Sequence, residues 1–342
     1  MTPRSRGRRI RLVLCGSAFM AAACGQPGNE GGMPAPPEPG AQESGALTVG
    51  VGANLRPLEP VLAAYRKESG RRYQVMPEMP DAAAAADLYI GGSLADLRAV
   101  AEADALRPDL ADDFASGIAP ALRDPESQWF PLSVSPRVIV YDASRITGDE
   151  IAAVGSYADL REDAFRKRLC LSSSQVPGNR LLVAWLIRRE GIREAEIIVR
   201  QWLANLAESE LPDDAGLLAA IAAGPCAIGI VDGSVMAGSA LPPALTVQSL
   251  PDDGTLVDIR GAGVTRHASR PAEAGRLLEW LTSSIPNALF ADTQRAFPVA
   301  DGAPVSAAVS RHLQRPAAYP PLSELGFLLE DADLLIDRAG YR

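Results

Sequence analysis

Three consecutive hydroxyls, Ser172-Ser173-Ser174, follow a short apolar run and precede a helix-like one. Hydroxyls and free backbone N–H groups at a helix start suit an anion or a carboxylate, and they suit plain helix capping equally well. Arg137 stands close in sequence to Tyr141; it either pairs with such an anion or sits exposed on a strand. Tyr141 either faces a ligand or packs in a core or hinge. Asp232 has the residue type of a cap for the helix expected after it, which competes with contact to a ligand. Covalent chemistry finds less support. The two histidines, His267 and His312, have no His-x-x-x-His or His-x-x-Glu spacing, so a helical zinc site lacks its ligands. There is no Gly-x-Ser-x-Gly elbow, Gly50-Val51-Gly52 lacks the third glycine of a dinucleotide loop, and no Gly-Lys-Ser/Thr phosphate loop occurs. The residues predict binding, not catalysis, and His267 packs against or caps a helix.

These side chains need a frame. Short β-rich runs at 46–52, 73–75, 87–90, 169–171, 226–231 and 256–259 alternate with helical patterns at 57–69, 94–103, 179–189, 194–207, 215–223 and from Pro271 onward. A longer β-branched stretch covers 129–141, and 322–338 is again helical. Strands alternating with helices predict an α/β fold whose parallel sheet is covered on both faces.

The N-terminus carries an address. Arg4, Arg6, Arg8, Arg9 and Arg11 precede an apolar run from Leu12 to Ala23, and Cys24 follows the small residues Ala21-Ala22-Ala23. The run falls short of the about 20 residues that span a bilayer and reads as a secretory signal over 1–23. A cysteine directly after small residues is similar to a bacterial lipoprotein signal, which implies cleavage before Cys24 and its lipidation. Residues 24–45, rich in Gly and Pro, predict a flexible tether. The chain's formal charge is −9; the first 23 residues hold five arginines and no acid, so the remainder stands near −14. Lys67 and Lys167 are its two lysines. An acidic surface without a basic cluster argues against nucleic acid and against charge-driven docking on anionic lipid. Beyond the leader remain Cys170 and Cys226, an even pair in an oxidising compartment and an expected disulfide. Such a loop is worth about 4 kcal/mol in the chain-entropy model; the alternative is two free buried thiols.

Several segments together carry a resemblance. They include Leu47-Thr48-Val49, Asp124-Pro125-Glu126-Ser127-Gln128-Trp129-Phe130, Arg137-Val138-Ile139-Val140-Tyr141, Cys170-Leu171-Ser172-Ser173-Ser174 and Ala222-Ala223-Gly224-Pro225-Cys226. Gly261-Ala262-Gly263-Val264-Thr265-Arg266-His267-Ala268, Leu277-Leu278-Glu279-Trp280-Leu281, Phe297-Pro298-Val299 and Asp337-Arg338-Ala339-Gly340-Tyr341 complete the set. In this order and spacing they resemble the ferric-iron-binding periplasmic proteins of ABC importers. The resemblance implies a two-lobe, type II-like periplasmic-binding-protein fold with ligand in a cleft between lobes. It implies lobe 1 over 46–135 and 247–295, and lobe 2 over 136–246 and 296–342. It also places Cys170 and Cys226 where some members carry a disulfide.

The resemblance breaks at the ligand set. Ferric ion is small, hard and highly charged and needs several anionic oxygen donors, which the family supplies as tyrosine phenolates. Ser234 and Val235 stand where the family often has adjacent tyrosines, and Asn54-Leu55 where it often has His-Tyr; Tyr141 alone keeps a family ligand position. One phenolate does not hold ferric ion tightly, so loss of high-affinity iron binding is expected, with Tyr141 the one remaining metal donor and no resident cofactor. Ser173, Ser174, Asn179, Arg137, Tyr141, Ser234 and Asn54 are the expected ligand-facing residues. Met76–Asp81 and the alanines 82–86 replace a longer amphipathic helix of the family. The expected function is that of a lipid-anchored extracytoplasmic solute-binding protein with an altered ligand, a small solute or anion, and an ABC permease as partner. A non-transport interaction or sensing lipoprotein on the same scaffold is the alternative.

Overall fold

The computed structural model describes residues 45–76, 82–108, 117–248, 250 and 254–342. The expected signal, Cys24 and all of the tether but its last residue lie outside the described residues. Among the described residues nine strands form the sheet: β1 (Leu47–Val51), β2 (Tyr73–Val75), β3 (Leu88–Gly91), β4 (Phe130–Asp142), β5 (Leu169–Cys170), β6 (Ile228–Asp232), β7 (Leu245–Gln248), β8 (Val257–Val264) and β9 (Phe297–Pro298). Their order is β2-β1-β3-β8-β4-β6-β5, with β7 and β9 also paired to β4.

The parallel expectation holds on the flanks, where β1 pairs in parallel with β2 and β3, and β5 with β6. The middle differs. β8 runs antiparallel to both β3 and β4, and β4 antiparallel to β6 and β7. The cause is the length of β4. Its first half pairs with β8 as far as Pro136↔Val257, and its second half begins a new ladder at Arg137↔Asp232. One continuous strand thus serves two sheet regions and meets different partners in each.

Apolar burial follows the same division. One cluster gathers Val49, Leu62, Leu88, Ile90, Phe130, Val264, Leu278 and Phe290. A larger one runs from Leu97 and Trp129 through Ile139 and Ile230 to Trp185, Trp202 and Leu335. The helix Pro177–Glu190 starts with Pro at its first position and buries a nearly continuous run, Leu181 to Ile187, so it is covered on most of its circumference. The helix Leu329–Ala339 buries Leu329, Ala332, Leu335, Ile336 and Ala339, one stripe at helical spacing, and stops at Gly340 in the left-handed region. The single C-terminal helix expected over 322–338 is two, Leu322–Phe327 and Leu329–Ala339, because the chain turns at Leu328. Cys170 and Cys226 form a disulfide with Cα atoms 5.7 Å apart, which ties β5 to the approach of the neighbouring β6. Among the described residues no helix is long and apolar enough to cross a membrane.

Candidate functional site

The C-terminal ends of several strands converge on a cavity of about 520 Å³, within the range of small-molecule sites. β3 ends at Gly91, and Gly92 and Ser93 lead into the helix Leu94–Glu102. Ser93 caps that helix, its Oγ accepting from the Asp96 N–H at 3.1 Å. Asp258 of β8 holds the same helix start, its Oδ1 accepting from the Leu94 N–H (2.9 Å) and the Ile259 N–H (2.8 Å). Gly92 is needed for packing. A Cβ there would lie 1.9 Å from the Ala53 carbonyl oxygen, in the loop that carries Asn54, Leu55 and Arg56 after β1. Gln294, directly after the helix Ser284–Thr293, clamps this loop: the Arg56 N–H donates to its Oε1 (2.9 Å), and its Nε2 donates to the Arg56 carbonyl (3.2 Å).

β6 contributes the facing wall. It ends at Asp232, which caps the short helix Gly233–Ala237 by accepting from the Ser234 N–H at 2.8 Å. The Ser135 hydroxyl also donates to Asp232 Oδ1 (2.6 Å). Asp232 therefore both caps a helix and lines the cavity. Burial pushes its pKa up, but the Arg260 cation and the Ser135 and Ser234 hydrogen bonds outweigh that and hold it below the ordinary value. Asp258 goes the other way. Burial dominates over the Leu94 hydrogen bond and Arg260, and its carboxyl is pushed up to about 6.

Beneath these residues lies a buried polar network centred on Arg137, which is 1 % exposed. Its Nη1 donates to Asp214 Oδ2 (2.6 Å) and its Nη2 to Asn179 Oδ1 (2.5 Å). Asp214 Oδ1 accepts from the Ser172 hydroxyl (2.5 Å), and Oδ2 also accepts from the Asp232 N–H (2.7 Å). Asn179 Nδ2 donates to the Ser172 carbonyl (3.0 Å), and the Tyr341 hydroxyl donates to that same carbonyl (2.6 Å). Burial alone lowers the Arg137 pKa, but the Asp214 and Asp232 carboxylates reverse this and raise it. The network ties β4, β6 and the starts of two helices, Pro177–Glu190 and Asp214–Ala223, at the point where β4 changes partners.

Of the residues expected to face ligand, Asn54, Arg137 and Ser234 line the cavity, as does Val235. Asn179 lies behind the wall, where it holds Arg137. Ser173 and Ser174 are not among the lining residues. Their backbone N–H groups are engaged, Ser173 with the Leu211 carbonyl (2.7 Å) and Ser174 with the Arg342 carbonyl (2.9 Å). Tyr141 lies near the far end of β4, opposite Ile228 and Thr246, and packs against the larger core. Among the described residues no tyrosine lines the cavity; Tyr89 donates from its hydroxyl to Asp96 Oδ1 (2.7 Å). Among the described residues no group of three or more His, Cys, Asp or Glu side chains is arranged to hold a metal ion.

Two lining residues, Arg56 and Arg260, escaped the sequence reading. Arg260 had a signal. Asp258 and Arg260 stand two apart in the apolar run Val257–Val264, so both point to one face of a central strand, where charge is unexpected without a purpose. Arg56 had none, because its loop gains meaning only when β3 and Gln294 close around it.

A family model described as bacterial extracellular solute-binding protein matches residues 97–324. Iron uptake protein A1 of Synechocystis sp. is 23 % identical over 269 residues, covering 75 % of this chain and 74 % of that protein. Among solved structures, Trichodesmium FutA in complex with iron and citrate superposes with a TM-score of 0.79 at 24 % identity, over 87 % of this chain and 100 % of the other. Mannheimia haemolytica ferric iron-binding protein A in an open conformation gives 0.77 at 23 % identity, over 86 % and 99 %. These structures share the two-lobe periplasmic-binding-protein fold.

Proposed function

The chain belongs to the bacterial extracellular solute-binding protein family, whose members bind solutes for transport and are not enzymes, and from that premise we propose that it is a lipid-anchored solute-binding protein of an ABC importer whose metal site has been dismantled. The lobes run over 46–135 with 247–295 and over 136–246 with 296–342. The switch of β4 partners between Pro136 and Arg137 supports the first boundary. Solute enters the cavity between the lobes, hinge closure buries it, and the closed form presents it to a permease. Cys24, lipidated after loss of 1–23, holds the domain at the membrane.

The observation that carries the reading is the composition of the cavity wall. Ser234, Val235, Asn54 and Leu55 stand in it together with Arg56 and Arg260. Its carboxylates already serve the protein: Asp214 pairs with Arg137, Asp232 and Asp258 hold helix starts, and Asp213 accepts from the Gly216 N–H (2.7 Å). A trivalent cation would meet three guanidinium groups, those of Arg56, Arg137 and Arg260, and no phenolate among the described residues, the reverse of what a hard ion requires. The test is ferric chloride, with and without citrate, added to purified protein. The expected spectrum lacks the visible phenolate-to-iron band, and a strong band overturns the reading. Cys24→Ser is expected to release the protein from the membrane fraction; retention refutes the anchor.

A further inference from the structure

Arg260 is buried and poorly matched. A guanidinium carries five N–H donors, and here Nη2 donates to Ser234 Oγ at 3.3 Å and stands 3.9 Å from Asp232 Oδ1. The Nε is buried with no hydrogen-bond partner among the described residues, although the side chain is only 9 % exposed and lines the cavity. A buried charge left this incomplete is costly unless another group completes it. Arg56 faces the same cavity, and its hydrogen bonds among the described residues are made by its backbone, to Gln294. Burial, then the Arg295 and Arg260 cations, lower its pKa against the opposing pull of Asp232, so cations crowd this wall. Ser93 and Ser234 set hydroxyls beside them, and the helix Leu94–Glu102 begins there, adding the positive end of its dipole.

We infer that the cleft binds a small polyanion through carboxylate or phosphate oxygens, gripped without a metal by Arg56 and Arg260. This rests on the solute-binding reading above and names the ligand class of that site. Guanidinium groups bind both kinds of oxyanion in the same forked geometry. The ligand supplies the acceptors that Arg260 lacks and separates the Arg56 and Arg260 charges with negative oxygen.

The experiment is calorimetric titration of the purified protein, stripped of metal by a chelator that is then removed. The probes are citrate, inorganic phosphate and a neutral sugar. Citrate or phosphate is expected to bind without metal, and which one does so separates the carboxylate from the phosphate source. Arg260→Gln and Arg56→Gln are each expected to weaken it about 10- to 100-fold, as the loss of a charged hydrogen bond predicts. Arg200→Gln, remote from the cavity, leaves it unchanged. Binding of neither anion, binding undiminished in both cavity variants, or equal binding of the sugar overturns the inference while leaving a solute-binding role intact. Anion binding that requires ferric ion and brings the phenolate band overturns both this inference and the dismantled metal site.

Discussion

Arg137→Met separates a structural arginine from a ligand-binding one. Methionine keeps much of the side-chain volume but removes the charge and every donor. Asp214 then loses its 2.6 Å ion pair, though it keeps the Ser172 hydroxyl and the Asp232 N–H. Asn179 Oδ1 loses the donor 2.5 Å away. Breaking one partner from a buried pair costs about 3–5 kcal/mol, and the two donors left on Asp214 place the expected loss near the lower end, about 3 kcal/mol. At roughly 2 °C per kcal/mol for a chain of this size, the melting midpoint should fall by about 6 °C. Urea unfolding followed by circular dichroism gives the free energy, and citrate titration at low temperature, where the variant remains folded, gives the affinity. Adding Asp214→Asn removes the stranded charge and should return part of the loss, a coupling that a double-mutant cycle measures. An unchanged unfolding midpoint with abolished citrate binding would refute the reasoning, because it would make Arg137 a contact to the ligand and its network incidental.

Asp258→Asn is expected to bind citrate more tightly than the wild type at pH 7.5 and equally at pH 5, because the carboxyl, pushed up to about 6, places a negative charge beside the anion only above that pH. Taking the ratio of the two proteins at each pH cancels the titration of citrate itself, and a pH-independent ratio counts against the assignment. The folded protein holds this proton to about pH 6 while the unfolded chain releases it near pH 4, so the Asp258 contribution to stability declines as pH rises through that window; in Asp258→Asn this decline disappears from the stability profile. Reduction of Cys170–Cys226, which closes a separation of 56 residues, should cost about 4 kcal/mol in the chain-entropy model, read as a lower urea midpoint in dithiothreitol. Gly92→Ala drives a Cβ against the Ala53 carbonyl, and the strain of about 1–3 kcal/mol should appear as a lowered midpoint together with weaker citrate binding, since the displaced loop carries Arg56.

The frame was legible because its signals are local and redundant. β-branched runs, Pro177 opening a helix and Gly340 closing one are each read from a few neighbouring residues. The pairing of Cys170 with Cys226 followed from counting thiols in a chain expected to reach an oxidising compartment. The mixed direction of the sheet was not legible, since β4 reads the same whether it serves one ladder or two, and only the partners at Pro136 and Arg137 reveal the change. The site was partly legible. Asn54, Arg137 and Ser234 reach the cavity wall, but their roles differ: Arg137 spends its donors on Asp214 and Asn179, and the N–H groups of Ser173 and Ser174 are bound to Leu211 and Arg342. Those partners lie more than 35 residues away in every case, and no local pattern announces them.

The contrast between Arg137 and Arg260 shows why charge in a core strand does not assign itself. Both sit on long central strands and both are buried. Arg137 meets a carboxylate and an amide oxygen at hydrogen-bond distance, so its charge is neutralised inside the protein and what it supplies is a fixed relation between β4, β6 and two helix starts. Arg260 meets a hydroxyl at 3.3 Å and a carboxylate at 3.9 Å, and the carboxylate is already committed to Ser135 and Ser234. Both leave Nε without a partner among the described residues, but the terminal nitrogens of Arg137 each meet an oxygen at close hydrogen-bond distance, one of them a carboxylate, and those of Arg260 do not. Burial and residue type are the same in the two cases, and the presence of a carboxylate at hydrogen-bond distance distinguishes them. By that measure the wall formed by Arg56 and Arg260 is the part of the cleft built to receive negative oxygen, and exchanging Arg260 for an uncharged residue should cost affinity where exchanging Arg137 costs stability.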